Sequence, residues 1–136
     1  MARTTILFMA EAVTLAHVGR PLSLALGLPG DQYDIHFACA DGYDFCFKQT
    51  AFHRWRIDSL STQQFLQALA SGKPLYTEST LQAYVEDDLR LLEAVKPDLV
   101  IGDFRLSLSV SARLRQIPYI TVSNAYWSPY VRQHYT

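Results

Sequence analysis

The sequence predicts an α/β fold, a doubly wound parallel sheet in strand order 3-2-1-4-5. Three observations predict it. Short apolar runs alternate with longer segments whose apolar residues recur at helical spacing. Proline and glycine punctuate the junctions. The stretches between runs are long enough for the crossover helices that parallel strands require. In that order the first and fourth strands are neighbours, and a ligand crevice lies beyond their carboxyl ends.

The elements follow in sequence. Thr5-Ile6-Leu7-Phe8-Met9 is apolar enough for a strand buried on both faces. A loop carrying His17 follows, then a helix starting near Val18 or Pro21 and running to Leu28, because proline suits a first helical turn. Pro29-Gly30-Asp31 ends it. Tyr33 to Cys39 is the second strand and Arg54 to Ile57 a weaker third. Ser61-Thr62-Gln63-Gln64 is a capping box opening a helix that Gly72 closes. A longer helix runs from Thr77 or Ser79 to Val95, with Leu81, Tyr84, Val85, Leu92 and Val95 as its apolar stripe. Asp98 to Gly102 is the fourth strand, with Asp103 at its end. Leu106 to Ser111 alternates with period two, yet Leu106, Val110, Leu114 and Ile117 form a helical stripe, and a crossover is needed here. Tyr119 to Ser123 is the fifth strand.

Composition narrows the function. The 136 residues are 49% hydrophobic and 18% charged, enough apolar content for one domain with a real core. Lys+Arg 12 against Asp+Glu 13 gives a net charge of -1 and no basic stripe, so no nucleic acid is expected as partner. No apolar run approaches the ~18 residues of a membrane span. No signal-peptide pattern opens the chain, and a cytoplasmic location is expected. Cys39 and Cys46 match no common zinc spacing and read as free thiols. His36 reads as structural, and His53 and His134 form no constellation; no metal is expected.

Four motifs carry a resemblance. Thr14 to Ala25, containing Ala16-His17-Val18, resembles the Gly-His-Val loop and first helix of family-one, GT-B-fold glycosyltransferases. Tyr33 to Asp41 resembles their second strand, and Lys96 to Phe104 their fourth. Ile117 to Tyr130 resembles the fifth strand and following loop, nearest to bacterial macrolide-type members. Ala16 stands where most members have glycine, which would strain a positive-φ site. Pro21 comes four residues after His17 rather than three. The resemblance implies that residues 1–136 are a single, incomplete Rossmann-like N-terminal domain. The later strands and the C-terminal nucleotide-sugar domain would be absent, because members of the family are two to three times longer.

The resemblance also implies a chemistry. An acceptor hydroxyl is a poor nucleophile near neutral pH, and a histidine can take its proton as the new bond forms. A carboxylate behind the imidazole would fix its tautomer. These roles fall to His17 and Asp103, in an inverting displacement with a nucleoside diphosphate leaving. The donor would be a nucleoside-diphosphate sugar, with no cofactor bound by this chain and no metal. Glu11, Thr14, Phe104, Tyr126 and Trp127 would line the site of a small-molecule hydroxyl acceptor. Plainer roles stand beside these. Asp103 suits a helix cap, and Tyr126 and Trp127 suit core packing. The leading expectation is thus an acceptor-binding half, inactive alone, that meets its donor domain in cis or in trans and otherwise self-associates. The alternatives are a subunit of a split transferase and a non-catalytic binding module.

Overall fold

The computed structural model describes residues 2–124 and 129–132. Its elements are β1 (Thr4–Ala10), α1 (Leu15–Leu26), β2 (Tyr33–Cys39), β3 (His53–Arg56), α2 (Thr62–Ser71), α3 (Glu78–Val95), β4 (Leu99–Asp103), α4 (Leu108–Leu114) and β5 (Tyr119–Val122). A short 3-10 turn at Asp44–Cys46 precedes β3. The sheet order is β3-β2-β1-β4-β5 with every pairing parallel, as the sequence predicts.

The central position of β1 follows from its composition. Side chains alternate across a strand, so a run apolar at every position needs cover on both faces. Ile6, Phe8 and Ala10 pack with Val18 and Ala25 of α1 and with Ile35, Phe37 and Cys39 of β2. Leu7 and Met9 point the other way, into a cluster with Leu91 and Leu92 of α3, Val100 of β4, and Leu108 and Ala112 of α4. The two clusters are the two faces of one sheet. Cys39 and Cys46 are free thiols. Among the described residues no helix is long and apolar enough to cross a membrane.

Two helices depart from expectation. α1 begins at Leu15, so His17 sits in its first turn rather than in a loop. Thr14 is extended at φ −141 and ψ 160, and the backbone turns helical directly after it, with the His17 N–H on the Thr14 carbonyl at 3.2 Å. Pro21 lies inside the helix, where it forfeits a bond to the His17 carbonyl four residues back, but its ring is buried. Ala16, as a helical residue, carries no positive φ, so the strain expected there is absent. α4 spans Leu108–Leu114, and of the expected stripe only Ile117, past the helix end, packs against the core; the other three residues face outward. Leu106, Val110 and Leu114 are 52%, 49% and 58% exposed, while Leu108, Ser111 and Ala112 are buried. The reason is Asp88 on α3, which accepts the Ser111 hydroxyl at 2.9 Å and so makes a serine the inward residue.

Candidate functional site

Parallel pairing of β1 with β4 aligns Ala10 with Asp103, and the Glu11 N–H continues the ladder onto the Asp103 carbonyl at 3.0 Å. The two strands end together at the switch point of the sheet. A crevice of about 510 Å³ opens there, lined by His17 and Arg20 of α1, Phe65 and Leu69 of α2, Leu75, Phe104, Val122 at the end of β5, and Ser123 and Asn124 after it. Its walls are mainly apolar, and its polar groups are few and convergent, the usual make-up of a small-molecule site.

His17 is half-buried and stacks flat on Phe104, ring centroids 4.9 Å apart and planes within 8°. Phe104 holds that position from a left-handed backbone at φ 57, an uncommon conformation for a residue with a side chain, so the tight bend after β4 aims its ring. The His17 Nδ1 lies 3.3 Å from the Thr14 hydroxyl. Burial lowers the His17 pKa below 6.5; the Asp103 charge acts against that fall, and the Arg20 charge adds to it.

Asp103 is fully buried and close enough to influence His17, but its hydrogen bonds go elsewhere. Arg20 grips both carboxylate oxygens, Nε to Oδ2 at 2.9 Å and Nη2 to Oδ1 at 2.7 Å. Its Nη1 donates to the Asn124 Oδ1 at 2.6 Å. Burial raises the Asp103 pKa, and the Arg20 hydrogen bonds and charge oppose that rise. Among the described residues no hydrogen bond joins Asp103 to His17. The fold brings the expected pair together at the switch point, then, but only His17 lines the crevice; Asp103 is buried and paired with Arg20, and no direct bond joins the two among the described residues. Arg20 is the residue that sequence reasoning missed. Its signal was faint: a cation three residues after His17, hence on the same helix face.

The other expected site residues divide. Thr14 and Phe104 flank the His17 ring. Glu11 is fully buried away from the crevice lining. Its carboxylate accepts from the Tyr76 hydroxyl at 3.1 Å and the Tyr84 hydroxyl at 3.3 Å, with the Arg105 guanidinium 3.7 Å away. Burial pushes its pKa up to about 6 against the Arg105 charge. Tyr126 and Trp127 lie outside the described residues.

His53, read as part of no constellation, has neighbours, while His134 lies outside the described residues. Register sets His36 beside His53, and with Asp34 their ligand-type atoms lie within 4.8 Å of one another. The set has the donors of a metal site, but one bond argues against that use. The His36 Nδ1 accepts the Trp55 indole N–H at 2.9 Å, so the neutral ring carries its proton on Nε2, facing Asp34 at 3.1 Å. Metal-bound imidazoles instead donate from the second nitrogen. Hydrogen bonding accounts for this cluster.

Comparison with known proteins follows the same line. No family model matches the chain. It is 49% identical over 133 residues to a PGL/p-HBAD biosynthesis rhamnosyltransferase of Mycobacterium bovis, covering 98% of this chain and 29% of the relative. It is 44% identical over 133 residues to an "Inactive PGL/p-HBAD biosynthesis glycosyltransferase" of the same species, covering 36% of that protein. The chain therefore spans about a third of the length of these curated relatives. Among solved structures, Spinosyn Forosaminyltransferase SpnP aligns at TM-score 0.63 and 18% identity, over 88% of this chain and 31% of that one. Spinosyn Rhamnosyltransferase SpnG aligns at TM-score 0.56 and 16% identity, over 88% and 34%. The fold is thus shared with GT-B glycosyltransferases, and the chain is, in sequence and in strand order, similar to the N-terminal Rossmann-like half of such enzymes.

Proposed function

We propose that this chain is the acceptor-binding half of an inverting glycosyltransferase, acting on a nucleoside-diphosphate sugar and the hydroxyl of a small molecule. The observation that carries the reading is His17, half-buried and stacked on Phe104, in an apolar crevice at the β1/β4 switch point. His17 takes the acceptor proton as oxygen bonds to the anomeric carbon, and the nucleoside diphosphate departs from the opposite face. Phe65, Leu69, Leu75 and Phe104 give the acceptor an apolar bed. Donor binding falls to sequence beyond this chain, so residues 1–136 alone give no turnover. The rhamnosyltransferase name of the 49% relative and the thymidine diphosphate complex of the spinosyn enzyme make a thymidine-diphosphate rhamnose the first donor to test.

The test uses the full-length polypeptide and counts glycosylated acceptor by mass. His17→Gln lowers kcat by about 10²- to 10⁴-fold, the usual contribution of a general base. Activity within about twofold of wild type would remove His17 from the mechanism. A second reading, a non-catalytic binding module, is favoured by the relative named inactive. It predicts acceptor binding with no transfer in the wild-type protein.

A further inference from the structure

We propose that Thr14, not Asp103, fixes the orientation of His17, and that Arg20 is the positioning residue that withholds Asp103 from that role. The proposal rests on the reading of His17 as the base. Thr14, His17 and Arg20 follow one another at intervals of three, so they share one edge of α1. Thr14 occupies the N-cap position, where a threonine hydroxyl ordinarily accepts a backbone N–H two or three residues on. Here it makes no such bond. It faces the His17 Nδ1 at 3.3 Å instead, so the cap interaction is given up for one to the imidazole.

The consequence for the ring is specific. In the proposed arrangement Nδ1–H donates to the Thr14 hydroxyl, so the proton is off Nε2 and that lone pair is free for the acceptor. Phe104 fixes the ring plane by stacking. Among the described residues Asp103 makes no hydrogen bond to Nδ1; the Arg20 fork engages both of its oxygens and is itself tied to Asn124. The two charged groups acting on the ring, Asp103 and Arg20, pull its proton affinity in opposite directions. The carboxylate charge that would stabilise an imidazolium is thereby opposed in part before the ring is protonated.

The experiment is ¹⁵N-histidine NMR on the full-length polypeptide, with the His17 signals identified by their loss in His17→Gln. The wild-type ring is expected as the Nδ1–H form. Thr14→Val shifts it toward Nε2–H and lowers kcat about tenfold, the effect of losing one hydrogen bond, with KM within about twofold. Thr14→Ser retains the hydroxyl and restores the wild-type tautomer. Asp103→Asn leaves the tautomer unchanged. Arg20→Gln releases Asp103, so the His17 titration and the acid limb of kcat/KM move to higher pH. Arg20→Lys keeps the charge and moves them less. A wild-type ring protonated on Nε2 would overturn the proposal. So would a tautomer that responds to Asp103→Asn and not to Thr14→Val, or a His17 titration indifferent to Arg20→Gln. Full transfer activity in His17→Gln would instead sink the base assignment, while the ring spectra would still decide who orients it.

Discussion

At His17 the sign of the electrostatics sets a pH dependence. Burial lowers its pKa below 6.5, so the neutral, proton-accepting form persists to more acid pH than for a free histidine. For the full-length enzyme the acid limb of kcat/KM is expected to be centred below pH 6.5; a limb centred above 6.5 would contradict this. Glu11 sets a second dependence, in stability. Its pKa of about 6 when folded exceeds the value of 4.5 expected when unfolded, so the folded state holds the proton more tightly. Its contribution is full below pH 4.5 and is lost as pH rises through 6, a swing of about 2 kcal/mol. Urea unfolding of Glu11→Gln should show a flatter profile than wild type across that window. Residue-scale legibility was uneven. That His17, Asp103, Thr14 and Phe104 lie near one another was readable because strand ends and first turns converge in this topology. Arg20 was not, because its partner lies 83 positions away and nothing local announces the pair. Glu11 was placed in the right loop but on the wrong side of it, since the Tyr76 and Tyr84 hydroxyls that bury it come from distant segments.

Among the elements, α2 was read correctly at both ends. Ser61 and Gln64 form the expected capping box, and Gly72 closes the helix in a left-handed conformation at φ 65. No residue of α2 is fully buried, so the cap carries an unusual share of its stability. Ser61→Ala is expected to cost about 1 kcal/mol in urea unfolding. It should also weaken acceptor binding, because Phe65 and Leu69 of α2 wall the crevice. A loss of binding without a loss of stability would instead assign Ser61 a direct role. α1 and α4 were misplaced for opposite reasons. Proline was taken as a helix start, whereas a buried Pro21 is carried inside the helix. Leu106, Val110 and Leu114 were taken as the apolar stripe of α4, whereas Leu108, Ala112 and a hydrogen-bonded Ser111 are the residues it buries. Gly102 has a part in that packing, since a Cβ there would lie 2.5 Å from the Leu108 side chain. Strand periodicity in β4 gives no hint of this approach.

Across the whole molecule the strand order was legible, because alternation of strand and helix leaves few topologies for a right-handed parallel sheet. What the pattern did not reveal is the polar bolt on the α3/α4 face. Arg105, fully buried, donates Nε to Asp88 of α3 at 3.0 Å and Nη1 to the Asp58 carbonyl at 2.6 Å, and stacks over Tyr84. Asp88 also accepts from Ser107 and Ser111. Arg105→Leu strands Asp88 and Glu11 as buried carboxylates without a cation. It should cost about 3–5 kcal/mol, the range for breaking a buried pair. The deficit should shrink in acid as those carboxylates protonate; a pH-independent loss in chemical denaturation would point to packing alone.

The 83-position span between Arg20 and Asp103 has a consequence for biogenesis. On the ribosome, β1, α1 and β2 emerge well before β4, so the N-terminal segment waits with Arg20 unpaired and one flank of β1 open. The last strand to join β1 also brings Phe104 to the crevice, which is completed only when the end of β5 follows. Closure of that long chain loop is a late, slow step of the kind that high contact order imposes. Nascent chains stalled before residue 103 therefore expose an apolar strand edge, and they are the species most exposed to chaperones and to aggregation.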